Sequence, residues 1–429
     1  MSAIACTFER LAASETSGVI ALEGKDLRGA SDQCSVSLRA YEVPRMDSAT
    51  IARPHSDARG LVSRSSRALG EAESLERFAF QFGRSYDSYL VTDRGRRCFW
   101  ASGRRGVIVY VEIGKYLHVG GGLLARARDK QRLLAEFAEF ALRRKQLISF
   151  YNIPEDELPL FRQLGFQVTK WGEDALVDLG GQTWCGKEFQ WVRRQSSYCL
   201  RHGLTFLECS HGERRSADWI KLVAELNEVS ATRLATKPQA AEMAFLDGRF
   251  DPDRLGRKRL FIARSRRRIE AFLICNPCCN GRQWALEVYR HRPDCVRGTM
   301  AFLMHQTLNL LQREGVGSAS LCLIPALRCD QPLAGDSPLI RWGLMVSQRL
   351  NLIFDHAGLY HFKSRFRPRF ESRYVCVLPK ATVGSLWTFT RLCGVLTLSP
   401  RKLLREAFHR LTNSSRRATL ARPSSSATA

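Results

Sequence analysis

The chain has 429 residues, of which 66 are Lys or Arg and 42 are Asp or Glu, giving a formal net charge of +24, and 45% of it is hydrophobic. That much apolar side chain builds a core and excludes a wholly disordered protein, while the length accommodates two or three domains of roughly 100–200 residues each. A cationic excess spread along the whole chain points to an anionic partner, either nucleic acid or an anionic membrane surface.

The first ten residues, Met1 to Arg10, lack a charged head followed by a long apolar run. They do not read as a secretory leader, so the sequence predicts a cytoplasmic protein whose fourteen cysteines are reduced thiols. Residues 1–70 are rich in Ser, Arg and Ala, as in Ser63-Arg64-Ser65-Ser66-Arg67, and show no sustained apolar period. A disordered or loosely attached basic arm is expected there.

Beyond it, short apolar runs predict strands over 89–91, 107–111, 147–151 and 166–168. Leu133, Leu134, Phe137, Phe140 and Ala141 recur at helical spacing and predict a helix over 130–145. Gly120-Gly121-Gly122 ahead of it reads as a tight turn, because it lacks the spacing of a phosphate-binding loop. A basic helix over 187–201, a strand over 204–208 and a helix over 217–232 open the second half. Strands over 260–263, 269–275 and 284–289, a helix over 298–313 and a strand over 321–324 follow. Helix, antiparallel strands, helix, strand occurs twice. The expected fold is α/β, with two tandem acyltransferase-like (GNAT, dual-domain) units, each a mixed, mostly antiparallel sheet flanked by helices. The expected division is an arm at 1–70, units at 71–180 and 181–384, and a basic amphipathic segment with a disordered tail at 385–429.

Four clusters bear on chemistry. Arg264-Ser265-Arg266-Arg267-Arg268, close after Gly256-Arg257-Lys258-Arg259, reads as a charged hairpin tip. Cys275-x-x-Cys278-Cys279, with Cys295, lacks the second pair that a zinc site needs, and Asn276-Pro277 with Asn280-Gly281 reads as a turn between strands, so no metal is assigned. His356 and His361 have only Asp355 nearby to orient them. The segment Phe362-Lys363-Ser364-Arg365-Phe366-Arg367-Pro368-Arg369-Phe370-Glu371-Ser372-Arg373-Tyr374 interleaves five cations with aromatic rings, a pattern suited to neutralising phosphates.

Residues 381–400 approach the length of a membrane span but carry Arg391 at their centre, so they are read as a surface-seeking or docking segment. Leu386, Trp387, Phe389, Leu392 and Leu396, followed by Arg401, Lys402, Arg405 and Arg410, suggest an interfacial basic helix and peripheral membrane contact.

Three stretches in order resemble the cytosolic catalytic domain of bacterial phosphatidylglycerol lysyltransferases and alanyltransferases, the multiple peptide resistance factor family. The first runs from Phe150-Tyr151-Asn152-Ile153 through Leu164-Gly165-Phe166 to Gly172-Glu173-Asp174-Ala175-Leu176-Val177-Asp178-Leu179, with Gly186-Lys187 after it. The second is Glu287-Val288-Tyr289-Arg290-His291-Arg292-Pro293-Asp294 with Gly298 and Met300. The third is the Phe362 to Tyr374 segment, similar to the family's Lys-x-x-Phe-x-Pro-x-Trp-x-x-Arg-Tyr ending. The likeness covers about residues 75–385 and lacks the family's multi-span part. The chain departs from the pattern at Ala301, where the family has Asp, at Ser320 to Ala326, and at Phe370, where the family has Trp.

The resemblance implies transfer of an amino acid from aminoacyl-tRNA to an anionic phospholipid head group such as phosphatidylglycerol, at the inner face of the membrane and without a cofactor. Transfer to a peptide, or a non-catalytic RNA- or membrane-binding module of the same fold, are the alternatives. Because the donor ester is already activated, the protein must align it, neutralise phosphate and stabilise an oxyanion. Glu287 and Lys363 are the catalytic candidates, and Arg290, Gly298, Arg365, Arg373 and Tyr374 the substrate-binding ones. In a regular strand Glu287 and Arg290 face opposite ways and come together only if the strand is bulged. Lys363 and Arg373 are expected to be mobile cations that reach phosphate.

Overall fold

The computed structural model describes residues 62–209, 216–236, 245, 248–350 and 355–394. Most of the expected arm and the tail from residue 395, with Arg401, Lys402, Arg405 and Arg410, lie outside them. Helix α1 (Val62–Phe82) is followed by an antiparallel meander of β1 (Arg97–Trp100), β2 (Gly106–Ile113) and β3 (Tyr116–Val119), with β4 (Leu124–Ala125) paired to β2. Helix α2 (Lys130–Arg143) then crosses to β5 (Leu147–Pro154), parallel to β3, and α3 (Leu158–Gln163) leads into β6 (Gln167–Asp178). The apolar spacing read in α2 is the cause of its packing: Leu133, Leu134, Phe137 and Ala141 are all buried.

The second half repeats the plan. Helix α4 (Gln190–Arg201), β7 (Thr205–Cys209) and α5 (Ala217–Thr236) precede the antiparallel strands β8 (Arg259–Arg264), β9 (Ile269–Cys278) and β10 (Gln283–His291). Helix α6 (Thr299–Arg313) crosses to β11 (Ser318–Pro325), parallel to β10. Helices α7 (Pro338–Leu350) and α8 (His356–Ser364), strand β12 (Arg369–Leu378) and helix α9 (Val383–Leu392) complete it. The α/β fold, with helices flanking mixed and mostly antiparallel strands, is the one expected.

All the strands join one sheet in the order β1-β2-β3-β5-β12-β6-β11-β10-β9-β8-β7, with β4 beside β2. The closing strands are exchanged: β12, last in the chain, inserts beside β5, and β6, last in the first half, lies beside β11. Strand β12 shows how the two faces are used. Tyr374 and Cys376 join the core under α2 and α3, while Val375 and Val377 join Ile340, Leu344 and Phe389 of α7 and α9 on the other face.

Two local expectations are corrected. Residues 89–91 are part of a buried 3₁₀ turn (Ser88–Thr92), closed by Leu90 N donating to Asp87 O and Asp93 N to Leu90 O, and do not form a strand. Asn276-Pro277 lies inside β9, with Pro277 opposite Trp284, and the turn is confined to Cys279–Gly281. Pairing to β8 ends at Cys275, so β9 is an edge there and Pro277 forfeits no ladder bond.

Candidate active site

Four bulges cross the middle of the sheet, and their effect is to change which side chains share a face. In β10 the register against β9 shifts between Leu286 and Val288, making Glu287 the extra residue. Leu286 belongs to the core under α4 and α6, Val288 to the opposite core under α5, and Tyr289 packs on the first again. Parity therefore flips at Glu287. Glu287, Val288 and Arg290 lie on the face carrying α5, and the bulge brings the glutamate and the arginine to one side, which a regular strand would not do. In β11 the shift between Ser320 and Leu323 holds Cys322 in the left-handed region at φ 67°, and Cys322 and Leu323 join one cluster with Tyr86, Cys278 and Ala285. Asn152 of β5, at φ 60°, and Trp171 of β6 sit at the remaining two.

The parallel pairing of β10 and β11 covers only three positions, ending at Ala285 and Ser320. Past that point the strands diverge, and the carbonyls of β11 are taken up by Lys363 of α8, whose Nζ donates to Cys322 O at 2.8 Å and Leu323 O at 3.0 Å. The Glu287 carboxylate lies at the same divergence, 9% exposed. Its Oε1 accepts from Gly248 N and its Oε2 from Asn276 Nδ2 at 2.7 Å. The two bonds fix its direction.

Two strands from β11, across β6, Arg373 of β12 donates to Asp174 Oδ2 at 3.0 Å and Glu371 Oε2 at 2.9 Å, while Ser320 Oγ donates to Asp174 Oδ1 at 2.5 Å. Burial pulls the Arg373 guanidinium down, but Asp174 and Glu371 more than offset it, so its affinity for the proton rises. Lys363 and Arg373 are 2% and 3% exposed. The expectation of mobile cations is corrected on that point, because each head is anchored by oxygen acceptors in the protein interior.

The other candidates are spread around this centre. Arg290 is half-buried, with Nη1 on Tyr289 O. Gly298, at φ 89°, caps α6 at a point where a Cβ would collide with Gln195 of α4, so glycine is required there. Arg365 stacks over Trp191, its Nη2 2.8 Å from His361 Nε2. Tyr374 is in the core among Phe150 and Phe166. His356, at the start of α8, contacts Pro325 O.

Four residues that the sequence did not single out complete the site. Asn276 orients Glu287. Asp174 carries the ion pair with Arg373. Asp87 accepts from Gly121 N and Asn152 Nδ2, both at 3.0 Å, tying the Gly120–Gly122 loop to the bulge in β5. Arg96 donates to Phe245 O at 2.9 Å and lies over the Phe245 ring. Its Nη1 is buried with no hydrogen-bond partner among the described residues, and burial pulls the guanidinium down against the attraction of Asp93, Asp87 and Glu287. Asp174 lay within a quoted motif, but Arg96 stood in the run Arg94-Gly95-Arg96-Arg97, which reads as solvated charge. Cys275 and Cys278 are fully buried, with thiols pushed up by burial, and among the described residues no group of three His, Cys, Asp or Glu side chains is placed to hold a metal ion.

The two halves of the chain thus contribute a carboxylate held by two donors, a buried ammonium at a strand divergence and a buried guanidinium whose Nη1 has no partner among the described residues. Groups of this kind, set on an α/β sheet with helices on both faces, are able to bind anions and to move a proton. Residues 77–377 match the family described as phosphatidylglycerol lysyltransferase, C-terminal, and the chain belongs to that family. It is 23% identical over 326 residues to the phosphatidylglycerol lysyltransferase of Bacillus subtilis strain 168, covering 76% of this chain and 37% of that protein. With the enzyme of the same name from Staphylococcus epidermidis it shares 24% over 306 residues, 69% of this chain and 34% of that one. The chain thus spans about a third of these curated relatives. Among solved structures, L-PGS from Bacillus licheniformis aligns with a TM-score of 0.64 at 22% identity, over 76% of this chain and 96% of that one. The C-terminal DUF2156 domain from Agrobacterium fabrum, ascribed to a lysylphosphatidylglycerol synthetase, aligns with 0.63 at 22%, over 75% and 95%. These two likenesses establish the fold.

Proposed function

We propose that the protein is an aminoacyltransferase that moves an amino acid from aminoacyl-tRNA to the head group of an anionic phospholipid such as phosphatidylglycerol. The observation that carries this reading is the placement of Glu287 beside the β10–β11 divergence, on the same face as Arg290 and close to the Lys363 ammonium. Membership of the family, whose curated relatives bear the name phosphatidylglycerol lysyltransferase, supports the lipid acceptor.

In this reading a glycerol hydroxyl of the lipid attacks the ester carbonyl of the charged tRNA, and Glu287 takes the hydroxyl proton. The tetrahedral oxyanion forms beside the Lys363 charge. Collapse breaks the bond to the ribose oxygen, which leaves with the proton held by Glu287, so the carboxylate is regenerated. Arg290, Arg365 and the Nη1 of Arg96 hold phosphate or carbonyl oxygens, and Arg373 braces the floor through Asp174. Gly298 and Tyr374 keep α6 and β12 in register behind the substrates. The two anionic substrates account for the +24 charge, and the enzyme works as a peripheral protein on the cytoplasmic face of the membrane.

The test is expression in a bacterium that makes phosphatidylglycerol but no aminoacylated form of it, followed by mass spectrometry of the lipids. A lipid heavier by one aminoacyl residue is expected, and the mass difference identifies the residue. Absence of that lipid, together with no transfer by purified protein from any aminoacyl-tRNA to any phospholipid, defeats the reading.

A further inference from the structure

We propose that the outer side of the α7–α9 helix pair is the surface by which the protein docks on an anionic lipid bilayer, an inference that rests on the lipid-acceptor reading above. The two helices lie together on one face of the sheet. Ile340 and Leu344 of α7, and Leu386, Phe389 and Leu392 of α9, turn inward to one cluster with Tyr151 and Trp171, and Gly343 abuts Leu386. Their outward sides are unusual for a protein surface. Trp342 is 58% exposed, Met345 40%, Val383 73% and Trp387 58%. Of the eight tryptophans in the sequence, these two alone are exposed. Four large apolar side chains left exposed on two neighbouring helices call for a partner.

The charge around the patch selects the partner. Val383, Trp387 and Arg391 stand at i, i+4 and i+8, so one stripe of α9 runs from apolar through an interface-seeking indole to an exposed cation. The sequence immediately after α9, residues 395–429, carries seven Lys or Arg against one Glu. Tryptophan beside Arg and Lys matches a bilayer interface, where the rings occupy the head-group level and each cation near an anionic surface adds attraction. A second copy of the chain would bring another +24 to the same place, which disfavours self-association through it.

The face also backs onto the candidate active site. Phe389 stacks on Tyr151 with ring centroids 4.5 Å apart and meets Trp171 and Phe245 edge-on. The carbonyl of Phe245 holds Arg96, Gly248 just beyond it donates to Glu287, and Trp171 also packs in the cluster of Cys322 and Leu323. One layer of aromatic rings separates the proposed membrane face from Arg96 and the backbone that holds Glu287.

The experiment compares the full chain with its Trp342→Ala/Trp387→Ala variant in co-sedimentation with vesicles of equal phosphatidylglycerol and phosphatidylcholine, and with phosphatidylcholine alone. Both side chains are exposed, so unchanged melting is expected. The wild type is expected to pellet with the anionic vesicles, the variant to bind at least tenfold more weakly, and lipids brominated on their acyl chains to quench the wild-type tryptophan fluorescence more than that of the variant. Equal pelleting by both proteins, or a dimer that the double substitution converts to monomer, overturns the proposal. Transfer to a short-chain phosphatidylglycerol below its micelle threshold separates the two readings. Equal transfer by both proteins to this soluble acceptor, with loss by the variant only on vesicles, supports docking. If the wild type aminoacylates neither acceptor while tryptophan-dependent binding persists, the lipid-acceptor reading falls and the docking face stands.

Discussion

The ammonium of Lys363 lies 2.8 Å from the carbonyl oxygen of Cys322, the residue that the bulge in β11 turns into the left-handed region. The bulge opens the ladder and the lysine closes it again with a charge. The proposed function and stability therefore meet at this residue. Lys363→Ala is expected to abolish transfer and to lower stability by about 2–4 kcal/mol, because two buried carbonyls lose a charged donor. Urea unfolding and the transfer assay on the same preparation check it; a fully stable but inactive variant would show that the carbonyls find water instead.

Arg373 and Asp174 form a buried pair, their side chains 4% and 0% exposed. Removing one charge strands the other, so Arg373→Ala is expected to cost about 3–5 kcal/mol. Pairing it with Asp174→Asn should restore a good part of that loss, since the amide needs no counter-charge. A double variant no more stable than Arg373→Ala alone, in a denaturant-based double-mutant cycle, would contradict the pairing as the source of the effect.

Glu287→Gln keeps the size of the side chain and one carbonyl acceptor for Gly248 or Asn276. Folding should be close to wild type, while transfer falls by about 10²–10⁴ in rate, the span ordinarily lost with a general base. Binding of tRNA by gel shift should be unaffected. Single-turnover kinetics with preloaded aminoacyl-tRNA separate this loss from a defect in binding.

His118 is fully buried between Tyr151 OH and Thr388 Oγ1, each 2.9 Å from a ring nitrogen. The Thr388 hydroxyl donates to the Gly384 or Ser385 carbonyl, so it accepts from Nε2–H, and Nδ1 accepts from Tyr151. Burial holds this histidine down at about 4, against 6.5 for a free ring. Above pH 6.5 neither folded nor unfolded protein carries the proton. As pH falls from 6.5 toward 4 the unfolded chain binds it and the folded protein does not, so stability declines through that window, by up to about 3 kcal/mol. The melting temperature should drop between pH 7 and 4.5, and His118→Gln should flatten the drop.

The fold was legible where one period dominated. Leu133, Leu134, Phe137 and Ala141 announced α2, and the order of strands and helices announced the repeated plan. Residues 89–91 misled because three apolar residues in a row suit a strand and a buried 3₁₀ turn equally, and only the backbone bonds around Asp87 decide between them. Glu287 and Lys363 were legible as residue types within a motif. The bulge that gives Glu287 and Arg290 a common face has no sequence signature, since it arises from the mismatch of β10 with β9 and β11. Arg96 was hidden for a different reason: its importance comes from Phe245, 149 positions away, and separations of that size leave no local pattern.

The exchange of closing strands makes the molecule a clasp. Without β12, a fragment ending near residue 180 would leave β5 and β6 with bare edges, and a fragment beginning there would leave β11 without its neighbour β6. Neither piece is expected to survive alone, yet a single protease cut between β6 and α4 should leave both pieces interlocked and co-eluting. The same weave stiffens the seam against hinge motion. Any adjustment on binding then falls to side chains and loops around the seam, with the sheet itself serving as a fixed anvil beneath them.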